Sequence, residues 1–190
     1  MKRRPHDPES VLHTAVSVFI ERGYDGTSME DLARALGVTK SAIYYHVPGK
    51  EELLSRALDR ALDGLFATIA DPRAAEGRAI DRLEWVVRQS VAILVDRLPY
   101  VTLLLRVRGN SGTELRALDR RREFDRFVST LVKEASADGD IRPDLDPALV
   151  TRLLFGTVNS ITEWYRPTRP TSATELADAI VKLAFDGLRV

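Results

Sequence analysis

Apolar positions recur at three- and four-residue spacing along nearly the whole chain, which is the period of a helix with one buried stripe. Val11, Leu12, Ala15, Val18 and Phe19 form the first stripe. Asp7-Pro8 before it supplies a side-chain cap and a proline at the first helical position, and Gly23 supplies the stop. The next stripe is short: Leu32, Ala33 and Leu36, closed by Gly37. Thr27-Ser-Met-Glu30 before it reads as a capping box between Thr27 and Glu30. Thr39 caps a third segment, Lys40–His46, which Pro48-Gly49 ends. These three helices make a small head.

From Lys50 the elements lengthen. The spacing predicts helices over about 50–69, 76–97, 100–108, 113–137, 147–165 and 173–188, with breaks at Asp71-Pro72, Pro99, Gly109–Gly112, Gly139–Pro147 and Arg166–Pro170. No run alternates as a strand does, and nothing repeats. The expectation is an all-α chain of about nine helices, with a helix-turn-helix head at residues 1–49 and a helical body at 50–190.

Composition narrows the function. The 190 residues hold no cysteine, which removes disulfides, thiol catalysis and cysteine zinc sites. The longest apolar run, Val91–Val95, is far shorter than the ~20 residues a membrane-spanning helix needs. No apolar stretch follows the basic residues near the start, so no signal peptide is read and the expected location is the cytoplasm, away from membranes. The 28 basic and 28 acidic residues cancel, whereas nucleic-acid partners usually demand a basic surface. The cancellation is not uniform. Residues 1–31 hold four basic and six acidic side chains, 32–50 hold three basic and none acidic, and 51–190 hold 21 and 22.

That carboxylate-free stretch contains the second helix of the helix-turn-helix. It presents Lys40, Ser41, Ala42, Tyr44, Tyr45 and His46, residue types that suit a groove lined by phosphates. The bland reading is a helical hairpin in which Tyr44 or Tyr45 mainly packs. Lys2-Arg3-Arg4 reads either as a DNA-binding arm or as a solvated tail.

The residues Phe19-Ile-Glu-Arg-Gly-Tyr24, Thr27-Ser-Met-Glu-Asp-Leu-Ala33 and Gly37-Val-Thr-Lys-Ser-Ala-Ile-Tyr44-Tyr-His-Val-Pro-Gly-Lys50-Glu-Glu-Leu53-Leu54 resemble the DNA-binding head of TetR-family transcriptional regulators. The resemblance covers about residues 8–56. It implies that Thr39, Lys40, Tyr44 and His46 face DNA, that Tyr44 and Lys50 contact phosphate, and that Thr27 and Thr39 keep helix-capping positions. Val47 stands where the family usually carries an aromatic, which implies looser packing there. Thr27, Thr39, Lys40, Ser41, Ala42, Tyr44, Tyr45, His46 and Lys50 are thus the candidate DNA-binding residues. Double-stranded DNA is the implied partner, and one head reads too few base pairs for a monomer to be selective.

In the body, the last two helices are apolar over more than one face, so a partner subunit is expected on the surplus. TetR-like regulators dimerise through their last two helices. Leu153, Val158, Ile161, Trp164, Ile180, Leu183, Ala184 and Leu188 are the candidate interface of a homodimer. Polar residues on apolar helices mark a candidate effector pocket: Trp85, Gln89, Leu103, Arg106, Phe124, Phe155, Asn159 and Glu163. Each also reads as ordinary structure, the amides as helix bridges and the arginine as a snorkelling side chain. Arg120-Arg-Arg-Glu-Phe-Asp-Arg126 reads as a solvated mixed-charge face, or as a phosphate-binding rim. Gly139–Pro147 followed by Glu163-Trp-Tyr-Arg-Pro167 is similar to a branch of the family that senses CoA thioesters, which implies an acyl-CoA effector.

The leading expectation is a repressor that binds a palindromic operator as a dimer and is released by a small molecule. The alternative is a helical protein–protein adaptor without specific DNA binding. An enzyme is not expected: His6, His13 and His46 all fall in the head, and no nucleophile elbow or phosphate loop is present. No cofactor and no metal are called for.

Overall fold

The structure is a computed structural model that describes residues 7–167 and 171–188. Among these residues it holds nine α-helices and no strand. They are α1 (Pro8–Arg22), α2 (Met29–Leu36), α3 (Lys40–Tyr44), α4 (Lys50–Ile69), α5 (Ala79–Asp96), α6 (Leu98–Arg106), α7 (Gly112–Ala137), α8 (Pro147–Trp164) and α9 (Ala173–Leu188). A single 3-10 turn, Pro72–Ala74, precedes α5. The all-α expectation holds. Lys2-Arg3-Arg4 lie outside the described residues.

The caps explain the helix starts. Asp7 accepts from the Ser10 N–H at 2.6 Å with Pro8 behind it, and Asp146 accepts from the Leu149 N–H at 2.8 Å ahead of Pro147. The box at α2 sits one residue later than expected: Ser28 and Asp31 exchange hydrogen bonds, not Thr27 and Glu30. The reason is that Thr27 is only 1% exposed and donates its hydroxyl to the Gly23 carbonyl at 2.7 Å. A second box, Ser172 with Glu175, starts α9. Pro99, read as a break, is instead the second residue of α6, where its missing N–H leaves no helical bond unmade. Gly37 adopts φ 69° at the end of α2, the left-handed value that lets the chain reverse into α3.

Two compact units emerge. The first takes in residues up to Ala61 together with Pro99–Leu118. Phe19, Leu32, Ile43, Leu54 and Leu58 are buried in it, and so is Val47, which fills its place although small. Arg60 pairs with Glu9 and reaches the Tyr100 hydroxyl at 3.0 Å, tying α1, α4 and α6. Arg106 Nη1 donates to the Ile20 carbonyl at 2.7 Å, and Asn110 Nδ2 to Asp25 at 3.0 Å. The buried carboxylate of Glu114 accepts the N–H groups of Arg108, Gly109 and Asn110 at 3.0, 2.7 and 3.0 Å, fixing the α6–α7 turn.

The second unit is Leu62–Leu98 with the residues from Asp119 onward. α5 packs along α9 and against α8. Gly64 lets α4 approach closely, because a Cβ there would lie 2.9 Å from Ile93 Cγ2. The Arg142 N–H donates to the Leu188 carbonyl at 2.9 Å and joins the α7–α8 loop to the end of α9.

Candidate functional site

Thr39 caps α3 by accepting from the Ala42 N–H at 3.3 Å, and only Ile43 of this helix is buried. The rest follows from one turn and a half of helix. Thr39, Lys40 and Ser41 are exposed at its start, Ala42 is half-buried, and Tyr44 and Tyr45 are 46% and 88% exposed at its end. An 88% exposed tyrosine contributes almost nothing to packing, so the bland reading fails for Tyr45. His46 is half-buried with its ring edge-on to Tyr45, 5.3 Å between centroids. A concavity of about 500 Å³ lies between the Asp25–Glu30 stretch and Lys40, Tyr44 and Lys50.

Two expected members of this surface have other positions. Thr27 is buried, so its side chain fixes the turn and presents nothing outward. Lys50 donates to the carbonyls of Tyr24 and Thr27, both at 3.0 Å, with the Asp25 carbonyl at 3.5 Å. Its ammonium also lies 4.4 Å from the centre of the Tyr24 ring. Lys50 therefore ties the α1–α2 turn to the start of α4 rather than standing clear of the surface. Glu30, read from the sequence as the capping partner of Thr27, pairs instead with Lys40.

In the second unit the expected pocket residues separate. Phe124 and Phe155 meet edge to face with centroids 5.6 Å apart. Phe155 and Asn159 line a cavity of about 460 Å³ between α7 and α8, with Arg121, Asp125, Arg126 and Arg152. Ser129, Ala148, Thr151 and Gly156 complete its wall. Leu103 and Arg106 belong to the first unit, and Arg106 is committed to Ile20. Trp85 stacks under the Arg73 guanidinium at 4.8 Å, Gln89 is half-buried on α5, and Glu163 is exposed near the end of α8. The basic run on α7 is neither wholly solvated nor wholly a rim. Arg120 pairs with Asp63 and Arg122 with Asp119, while Arg121 and Arg126 turn to the cavity. Arg121, Arg126 and Arg152 form no ion pair among the described residues, although most other arginines do. Arg152 was missed because its meaning depends on α7 lying opposite, which local pattern does not encode.

The α8–α9 surface also divides. Val158 and Ile161 are core residues of the subunit and offer no partner surface, a correction imposed by α5 packing on both helices. Leu153 and Leu183 are 63% and 76% exposed, with Leu149 and Trp164 nearly half exposed. An apolar groove of about 200 Å³ runs among Leu145, Leu149, Leu153, Leu183, Ala184 and Leu188, with Ile180 at its floor.

Comparison with known proteins agrees along the chain. Residues 11–57 match the family model described as "Bacterial regulatory proteins, tetR family", and residues 76–188 match "Tetracyclin repressor-like, C-terminal domain". SCO3833, a member of the TetR transcriptional regulator family from Streptomyces coelicolor A3, is 58% identical with a TM-score of 0.89, covering 96% of this chain and 92% of that one. The HTH-type transcriptional repressor KstR2 of Rhodococcus jostii (strain RHA1) is 28% identical over 94% of this chain and 89% of its own. The structure of AibR in complex with isovaleryl coenzyme A and operator DNA is 27% identical, with a TM-score of 0.75 over 94% of this chain and 97% of that one. The chain belongs to the TetR family, and is a DNA-binding transcriptional regulator rather than an enzyme.

Proposed function

We propose that the chain is a homodimeric cytoplasmic repressor whose head, residues 1–49, reads a palindromic operator, and whose body, residues 50–190, dimerises and takes a small-molecule effector. The observation that carries the DNA half is the outward face of α3. Lys40, Ser41 and Tyr44 stand exposed on α3, with Thr39 and Tyr45 exposed at its two ends, a face free to lie in a major groove with its first residues at the base edges. A tyrosine hydroxyl gives a neutral phosphate contact that fixes register, and the lysine reaches base acceptors. His46 and Ala42 flank this set, and Lys50 orders the turn beneath it. Two such helices must lie about 34–36 Å apart, one helical turn of DNA or a multiple of it.

The dimer half rests on Leu149, Leu153 and Leu183, large apolar side chains that the subunit itself leaves exposed around one groove. α8 and α9 supply both walls, so a second copy of the same two helices is the self-complementary cover.

For the effector we favour an acyl-CoA. Three arginines that form no ion pair among the described residues line the α7–α8 cavity against one carboxylate, Asp125, which interacts with Arg121, so the site carries excess positive charge. A phosphate-bearing ligand supplies the missing anion with bidentate geometry. AibR, solved with both isovaleryl coenzyme A and operator DNA, supports the same reading. Release requires that the effector bind the DNA-free arrangement more tightly than the DNA-bound one. α4 begins at Lys50 in the first unit and ends at Ile69 in the second, which makes it a covalent route for that change.

The experiment is fluorescence anisotropy on duplexes selected from a random pool, with and without a panel of acyl-CoAs, alongside thermal shift. Binding that collapses with salt and is reversed by one class of acyl-CoA is expected. A protein that selects no duplex returns the adaptor alternative, and a selected duplex that no acyl-CoA releases removes the effector class alone.

A further inference from the structure

Residues 32–50 hold no carboxylate, yet the fold brings two to their surface, Asp31 beside Arg34 and Glu30 beside Lys40. Glu30, on the first turn of α2, pairs with Lys40, the first residue of α3. Both side chains are exposed, and both stand on the wall of the head concavity that also includes Tyr44. Glu30 is not part of the capping box at α2, which Ser28 and Asp31 form. The hydrogen bond from Lys40 holds the Glu30 carboxyl below its ordinary range, and the same bond raises Lys40, so both stay charged at neutral pH.

We propose that Glu30 is a specificity-determining residue, a carboxylate that occupies the Lys40 ammonium in the free protein and yields it only to a duplex that offers a better acceptor. This rests on Lys40 lying in the DNA face. The physics is one of exchange. An exposed ion pair is weak, so a guanine edge with two acceptors displaces it readily. A random backbone gains less, because there the released carboxylate meets only phosphates, whereas in the groove of the right duplex it accepts from a cytosine amino group. The pair thereby lowers affinity for every duplex but lowers it least for the right one.

The test uses full-length protein, a duplex selected by the wild type from a random pool, and a scrambled duplex of the same composition, each over a salt series. Glu30→Gln keeps the shape and folds, because the box at α2 is intact. It is expected to tighten the scrambled complex roughly fivefold to tenfold and to steepen its log–log salt slope by about 0.9, as one additional phosphate contact does. The selected complex is expected to gain less than threefold, so the ratio between duplexes falls. Equal gains on both duplexes, or none, overturn the proposal. Lys40→Met separates this from the larger reading: it is expected to weaken the selected complex at least tenfold. A Lys40→Met protein that binds like wild type removes Lys40 from the DNA face and overturns the gate with it.

Discussion

Lys50 donates to the Tyr24 carbonyl at 3.0 Å while its ammonium sits 4.4 Å from the centre of the Tyr24 ring. Tyr24 also meets Phe19 edge to face at 5.2 Å, so the lysine is anchored to the core of the head and not only to a surface turn. Removing the ammonium leaves the Tyr24 and Thr27 carbonyls without their donor. Lys50→Met is expected to lower the stability of the head by about 1–3 kcal/mol. Its DNA salt slope should fall by less than half a unit, because the charge is engaged internally. Urea unfolding and a salt series measure the two. A slope lower by a full unit at unchanged stability would show that Lys50 swings out to phosphate.

Thr27 and the α2 cap separate packing from recognition in the same way. The Thr27 hydroxyl is buried and bonded to Gly23 O at 2.7 Å. Thr27→Val keeps the shape and removes the donor, so it is expected to cost about 1–2 kcal/mol of stability. Operator affinity at temperatures where the variant is folded should stay within twofold of wild type. A selective loss of DNA binding with no loss of stability would return Thr27 to the interface.

Most of the fold was legible because its punctuation is local. Asp7-Pro8, Gly37, Thr39 and Asp146-Pro147 act within one turn of themselves, and α4 and α9 begin and end where the spacing predicted. The errors have one cause. Choosing Thr27 over Ser28 as the cap requires knowing that Thr27 is buried, and assigning Val158 and Ile161 to an interface requires knowing what α5 covers. The cavity was less legible still. Arg121 and Arg126 differ from Arg120 and Arg122 in forming no ion pair among the described residues, and Asp63, which satisfies Arg120, is identified by the fold alone. Glu114 was passed over because a charged residue beside Thr113 reads as surface, whereas three converging N–H groups bury it.

Acid should weaken the caps before it weakens the core. Hydrogen bonds from the Ser28 hydroxyl and N–H hold the Asp31 carboxyl below its ordinary range, and those from the Ser172 N–H and hydroxyl do the same for Glu175. Bonds from Arg73 lower Asp71 to about 2. Folded values below the unfolded ones, about 3.9 for Asp and 4.3 for Glu, stabilise the fold above those values. The contribution is lost as pH falls through about 4 towards the folded values. Melting temperature should be level from neutrality to about pH 5 and fall below it, with a shallower fall in Asp31→Asn and Glu175→Gln. Parallel acid limbs in all three proteins would assign the loss elsewhere.

The exposed and buried members of α8 and α9 predict opposite phenotypes. Leu153 and Leu183 are exposed in the subunit, so Leu153→Asp with Leu183→Asp should leave its melting behaviour nearly intact and abolish the dimer in light scattering. Operator binding should then fall steeply, since a single head contacts one half-site. Ile161→Ala, at a fully buried position, should instead lower stability by about 2–5 kcal/mol. A doubly charged variant that still runs as a dimer would place the interface on another surface.

The arginines of the α7–α8 cavity lead to a sharper contrast. Arg121, Arg126 and Arg152 form no ion pair among the described residues, so Gln at any of them should change stability by no more than about 0.5 kcal/mol. Arg82 is the control, because it holds Glu134 at 2.8 Å and the Ala74 carbonyl at 2.9 Å, and Arg82→Gln should destabilise measurably. Ligand response should follow the reverse order. An acyl-CoA that raises the wild-type melting temperature should lose most of that shift in Arg126→Gln and Arg152→Gln while keeping it in Arg82→Gln. Adenosine 3′,5′-bisphosphate, the nucleotide end of coenzyme A, should compete for the same cavity, whereas the uncharged pantetheine end should not. If pantetheine competes and the bisphosphate does not, the arginines are bystanders, and the effector is held by its acyl arm alone.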